Sequence, residues 1–239
     1  GQAREGTGSE DGQDSARGGV EVKLAHIGYL QWVDWASMQK WAEQVDVRVR
    51  LTVLPGAFIT PDRVVARVFG ERQDALDEEA MDNMRRTFRL GDQRLFDEDP
   101  RFGFIVLSEI ASRALSPSVN DPGTAIQITG QCVRLLQQWH GPEPQDSDAK
   151  QPPKHDRLEA PGILLSAIFD DAFTGIARDG ASMREVMIRL QKAFRALALM
   201  GDDMKVEADR HAQVALKRAK HALPIEEDYE AVATVYVAD

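Results

Sequence analysis

Polar and charged side chains crowd one stretch of this 239-residue chain, between residues 93 and 121. Gln93, Arg94, Asp97, Glu98, Asp99 and Arg101 come just before and at the start of an apolar run, Phe102–Leu115. Glu109 and Arg113 stand four apart within that run, and Ser116, Ser118, Asn120 and Asp121 fill the turn after it. Guanidinium groups present forked donors that hold carboxylates and phosphates through charge-assisted bonds. Arg94, Asp97, Asp99, Arg101, Glu109, Arg113, Ser116, Asn120 and Asp121 are therefore a candidate pocket for a small anionic ligand. The same residue types also serve structure. Asp97 or Asp99 can cap a helix, Glu109 and Arg113 can form an ion couple one helical turn apart, and Asp121 can be an N-cap. Both readings stand at this point.

Other chemistries find little to build on. The five histidines, His26, His140, His155, His211 and His221, show no metal-ligand spacing, and they read as surface residues. No G-x-S-x-G elbow, phosphate-binding loop or dinucleotide fingerprint occurs. Cys132 sits at an apolar helical position beside Val133, Leu135 and Leu136, where a thiol behaves as a small inert hydrophobe. Lysine is absent between Lys40 and Lys150, which removes a Schiff-base or phosphate-gripping amine from that span. No catalytic residue, metal or cofactor is expected.

Charge and length narrow the class. The chain carries 29 Lys+Arg against 39 Asp+Glu, a formal net charge of −10, which disfavours nucleic acid as a partner. The single cysteine excludes an internal disulfide and fits a reducing compartment. No stretch reaches the roughly 18 apolar residues that a membrane span needs.

The elements that must position the polar stretch follow from periodicity. Residues 1–19 are polar and Gly-rich and read as a linker or tail. A small β-rich module is expected over 20–70. Val20, Val22 and Leu24 alternate, as do Val47, Val49, Leu51 and Val53, and Val64–Phe69 forms another strand. One helix, capped by Asp34, lies between them, with Trp35, Met38, Trp41, Ala42 and Val45 at helical spacing. Residues 71–239 read as a helical bundle. Its first helix is expected over Asp74–Leu90 with Gly91 as its stop, its second over Phe102–Leu115, buried on nearly every face. A third starts at Asp121-Pro122 and runs to about Trp139; residues 140–157 form a polar, Pro-rich loop. Helices over Pro161–Arg178, from a Ser182/Glu185 capping box, and over Asp202–Leu223 complete it, with the last 16 residues ambiguous. The fold class is α+β.

Two resemblances add to this reading. Val53–Val68 is similar to half of a biotinyl/lipoyl-type hammerhead. Asp62 or Arg63 stands where that repeat has its second glycine, and no acceptor lysine follows, which implies a packing or binding module. More specifically, four strings occur in order: Gly28-Tyr29-Leu30-Gln31 with Asp34; Pro55-Gly56 with Phe58; Arg94, Asp97, Asp99 and Phe102-Gly103; and Ala114-Leu115-Ser116-Pro117 leading to Asn120-Asp121-Pro122 and Thr124-Ala125. This series resembles the C-terminal soluble domain of a bacterial predicted membrane protein family of unknown function, in which about four membrane helices come first. The resemblance implies a soluble domain on the cytoplasmic face of the inner membrane, tied to its own membrane segment. No activity carries over with the resemblance; taken with the helical bundle and the missing catalytic constellation, it points to a homo-oligomeric regulatory or assembly domain for a transporter or channel, without catalysis. A sensor or enzyme binding a small anionic ligand is the alternative.

Overall fold

The computed structural model describes residues 19–71, 76–140 and 155–237. The expectations for the 1–19 linker and the 140–157 loop fall almost wholly outside them. The chain divides into two compact units: residues 1–99 with 148–161, and residues 100–147 with 162–239.

The first unit holds two small sheets. One contains β1 (Val20–Lys23), β3 (Arg48–Leu51), β5 (Val64–Phe69) and β7 (Leu158–Glu159), in the order β1-β5-β3-β7. β1 and β3 run antiparallel to β5, with Val20 and Val49 both opposite Val68, and β7 joins β3 in parallel. The alternation seen in the sequence is the burial pattern: Val22, Leu24, Val47, Val49, Leu51 and Val53 all turn inward. Outward positions pair charges across strands, Arg67 with Glu21 and Arg50 with Glu159, both at 2.7 Å. The second sheet has the order β4-β2-β6, from β4 (Phe58–Ile59), β2 (Gly28–Val33) and β6 (Phe88–Gly91).

Helix α1 (Trp35–Gln44) starts where expected, with the Asp34 carboxylate accepting from the Ser37 N–H at 3.0 Å. It buries Met38, Trp41 and Ala42 in the core of this unit. Its buried Gln39 donates to Asp156 at 2.6 Å and accepts from the Arg157 N–H at 3.1 Å, which anchors the return of the chain to β7. Helix α2 (Glu78–Arg85) is shorter than its expected span. It is capped by Asp77, and residues 88–91 leave it to become β6. The Thr87 hydroxyl donates to Met84 O at 2.7 Å and Thr87 O accepts from the Asp34 N–H, so the helix is closed off and the chain is handed to β2. Pairing with β2 here outweighs local helix propensity.

The regular elements among the described residues of the second unit are helices: α3 (Pro100–Ala114), α4 (Pro122–His140), α5 (Leu165–Asp179), α6 (Arg184–Ala198), α7 (Asp202–Ala222) and α8 (Glu226–Val237). Phe169, Phe173 and Ile176 from α5, Leu190 and Phe194 from α6, and Leu136 from α4 are fully buried at its centre. The ambiguous C-terminus is α8. Val232 joins the core, and the Tyr236 hydroxyl donates to the Asp209 carboxylate on α7. Two further expectations need correction. Helix α3 buries one face only, through Phe104, Ser108, Ala111 and Ala114, and leaves Ile110 exposed. Helix α6 begins without a Ser182 capping box: Met183 is its N-cap and makes no side-chain bond to the helix. The chain is thus mixed α and β, compatible with α+β.

Candidate functional site

In the first unit, three of the quoted strings meet on the β4-β2-β6 sheet. Gly28 opens β2 beside Tyr29, which stands opposite Gly91; a Cβ at Gly28 would lie 2.9 Å from Gly91 O. The Gln31 side chain lies over Gly91, in space a Cβ would fill, and its amide donates to Gln93 O at 2.8 Å. The Pro55-Gly56 turn returns the chain to β2, where the Gly56 N–H donates to Leu30 O at 2.7 Å. Gly56 has φ +90°, a backbone conformation that costs an L residue with a side chain.

Arg94 and Asp99 close over that turn. Arg94 Nε donates to Asp99 Oδ2 at 2.7 Å, and its Nη2 lies 2.6 Å from the same oxygen. The Asp99 side chain is 4% exposed and that of Arg94 20%. A Cβ on Gly56 would overlap the Asp99 carboxylate and reach 3.0 Å from Arg94 Nη2. Arg94, Asp99 and Gly56 therefore form one closely packed latch, and a buried pair of this kind is costly to break.

In the second unit, the Ala114–Ala125 string is the corner between α3 and α4. Ser116 Oγ donates to Arg113 O at 2.7 Å, the Asn120 N–H to Ser116 O at 2.8 Å, and the Asp121 N–H to Ala114 O at 2.8 Å. Asn120 takes φ +50°, the left-handed conformation that Asn tolerates best after Gly. Asp121 caps α4, accepting from the Thr124 N–H at 3.1 Å and from its hydroxyl at 2.5 Å. Those two bonds, the hydroxyl's first, hold the Asp121 carboxyl below its ordinary range. Replacing Asp121 by Ala is expected to cost about 1 kcal/mol of stability, the usual worth of an N-cap. Asn120→Gly, which keeps the left-handed backbone accessible, is expected to stay near wild type. Urea unfolding of the two variants checks both.

The remaining candidate residues have contacts of their own. Asp97 lines a cleft of about 490 Å³ with Gln31, Trp32, Arg89, Leu95 and Glu98 in the first unit. Arg101, in the second unit, grips Asp171 with two bonds, at 2.7 and 3.2 Å. Glu109 and Arg113 are 3.9 Å apart on α3 with side chains 60% and 83% exposed, a solvated couple worth little. So Arg94 and Asp99 come together, Ser116, Asn120 and Asp121 come together, and each group is occupied by contacts within its own unit.

Other features lay outside the sequence reading. A second cleft, of about 520 Å³, runs along β6 and includes His26, Ile27, Arg85, Arg86, Phe88 and Leu90 in its wall. It gathers two segments far apart in sequence, residues 24–27 and 82–92, so no local signal marks it. His211, read as a surface residue, is in fact 6% exposed and packs against Phe169, Phe173 and Phe194. Its signal was available: Met204, Ala208, His211, Ala215 and Ala219 share one helical stripe. Burial pushes its imidazole down to about 4, helped by neighbouring Arg210, while Asp170 and Glu207 pull the other way. Nε2 lies 3.2 Å from Asp170 Oδ1, within ion-pair range but without the alignment of a hydrogen bond. We weigh burial as the stronger influence, because Asp170 is itself half exposed and screened by water. The Cys132 thiol is buried and pushed up to about 12, as an inert core residue requires. Among the described residues, no group of three or more His, Cys, Asp or Glu is arranged to hold a metal ion.

Comparison with known proteins places the chain. A family model described as "Predicted membrane protein (DUF2254)" matches residues 2–196. Three uncharacterized mycobacterial proteins are similar: MT1328 of Mycobacterium tuberculosis (strain CDC 1551 / Oshkosh), Rv1290c of its strain H37Rv, and Mb1321c of Mycobacterium bovis. Each is 32% identical over 111 residues, which is 46% of this chain and 21% of the relative's length. The chain thus matches about one fifth of those proteins. No solved structure is significantly similar. No helix among the described residues is long and apolar enough to cross a membrane. With more than three quarters of its length matched, the chain belongs to the predicted membrane protein family DUF2254.

Proposed function

We propose that this chain is a non-catalytic regulatory or assembly domain of a bacterial membrane protein, held at the cytoplasmic face by that protein's own membrane segment and acting as a homo-oligomer. The observation that carries the reading is how the quoted strings are used. Arg94 and Asp99 latch the Gly56 turn, and Asn120 and Asp121 build the α3–α4 corner. Residues spent on holding each unit's shape suit a scaffold that presents surfaces. The small β unit then serves as a packing and binding module, in the sense the partial hammerhead implies.

The alternative, a small anionic ligand held by arginines, would have to displace Asp99 from Arg94 and Asp171 from Arg101. Native mass spectrometry of the chain, purified without added ligand, tests between them. The assembly reading predicts an oligomer of defined subunit number without a small adduct. A monomer carrying an adduct of definite mass, lost on Arg94→Ala in a protein that remains folded, would overturn it.

A further inference from the structure

We propose that the cleft shared by Arg89, Asp97 and Glu98 binds a free basic α-amino acid, arginine or lysine. The inference goes beyond the assembly reading and gives a ligand to a surface which that reading leaves unused.

The cleft holds about 490 Å³, within the range of small-molecule sites, about 300–1,000 Å³. Two devices on β2 shape it. Successive residues of a regular strand face opposite sides, yet Gln31 and Trp32 both line the cleft. The pairing with β6 slips between Leu30 and Trp32, and this irregularity at Gln31 brings both side chains to one face. The Gln31 amide is then laid against Gly91, where a Cβ would block it, and its nitrogen is held by Gln93 O at 2.8 Å. Its oxygen makes no hydrogen bond among the described residues and is left as an acceptor.

The charges set the ligand class. Arg89 stands opposite Trp32 across the strand pair, and Asp97 and Glu98 come over from the segment that follows β6. All three charged residues are exposed, and none forms an ion pair or a side-chain hydrogen bond among the described residues. Asp97 is also the one charged residue of the quoted strings that neither caps a helix nor closes the latch. One guanidinium and two carboxylates that share a cleft without meeting leave a place for the inverse set, one carboxylate and two cations.

A basic α-amino acid carries that set. Its carboxylate suits the forked donors of Arg89. Its α-ammonium and its side-chain cation suit Asp97 and Glu98, with the Gln31 oxygen as a further acceptor. Its aliphatic stem finds Trp32 and Leu95, which are 42% and 44% exposed, and a cation over the indole adds a cation–π contact. A simple anion meets two carboxylates here, and a plain diamine meets Arg89. With the wall so exposed, the ligand exchanges freely and is lost on purification.

Isothermal titration calorimetry at low ionic strength, where exposed charges are least screened, tests this with L-arginine, L-lysine and agmatine, which is arginine without its carboxylate. Wild type should bind both amino acids, and L-arginine at least about tenfold more tightly than agmatine, since agmatine leaves Arg89 unmatched. Arg89→Gln should erase that preference while still binding agmatine, which a misfolded chain could not do. Asp97→Asn/Glu98→Gln, with an unchanged unfolding curve, should bind all three at least about tenfold more weakly. A wild-type chain that takes up neither amino acid at about 5 mM, or binds agmatine as tightly as L-arginine, overturns the site. An Arg89→Gln chain that keeps the wild-type preference also overturns it. These affinities are read whatever the subunit number of the chain, so their failure leaves the assembly reading standing, and a monomer that binds leaves only the site.

Discussion

Gly56→Ala is expected to destabilise the first unit by about 3 kcal/mol or more. Two costs coincide at that position. A φ of +90° is strained for any residue with a Cβ, and substitution where φ is positive loses more than the chain-entropy gain returns. The new methyl would also occupy the place of the Asp99 carboxylate. Asp99 would have to give up its two contacts with Arg94, and breaking a buried pair of this kind costs about 3–5 kcal/mol. Thermal and urea unfolding measure the loss. A Gly56→Ala protein as stable as wild type would mean that the turn and the latch are independent.

Acid is expected to remove about 3 kcal/mol through His211 alone. The folded imidazole is depressed to about 4 from an ordinary 6.5, mainly by burial. The unfolded chain therefore binds a proton that the folded chain refuses. The stability from keeping His211 neutral is fully present above about pH 6.5, falls as pH drops, and is gone once pH passes below about 4. A shift of that size corresponds to roughly 3 kcal/mol at 1.36 kcal/mol for each pKa unit. The groups facing the ring are Asp170 from α5 with Arg210 and Glu207 from α7, and Phe169, Phe173 and Phe194 supply the apolar wall. Capping carboxylates such as Asp34 and Asp121 are held below their usual 3.8, so their stability is lost in a more acidic window. Urea titrations at pH 7 and pH 4.5 should therefore show a slope that His211→Leu abolishes. An equal slope in the variant would assign it to other groups.

Much of this architecture was legible because it is local or one-sided. Val22, Val49 and Leu51 alternate with polar neighbours because one face of their sheet is buried, and the pattern survives any detail of pairing. The Asp34 and Asp121 caps act within three residues of themselves. What escaped the sequence depends on partners far along the chain. Residues 88–91 follow a helix directly and are drawn into a strand by β2, nearly sixty residues earlier. The two-residue strand at 158–159 closes a polar stretch whose local signals read as loop; its pairing comes from β3. Arg94 and Asp99 stood out as polar residues near one another, but the reason for their proximity is the Gly56 backbone, which carries no side chain to signal it. Arg101 and Asp171 are seventy residues apart, so neither predicts the other.

Whether these strings hold the fold rather than a ligand is decided by a double-mutant cycle on Arg94→Ala and Asp99→Ala. Unfolding free energies are measured in urea for the wild type, each single variant and the pair. Either single change is expected to cost about 3 kcal/mol, with a coupling of about 1–3 kcal/mol, because removing the second side chain relieves the first. Single variants that unfold like wild type, with losses that add within about 0.5 kcal/mol, would contradict it, for then the pair would contribute nothing to the fold.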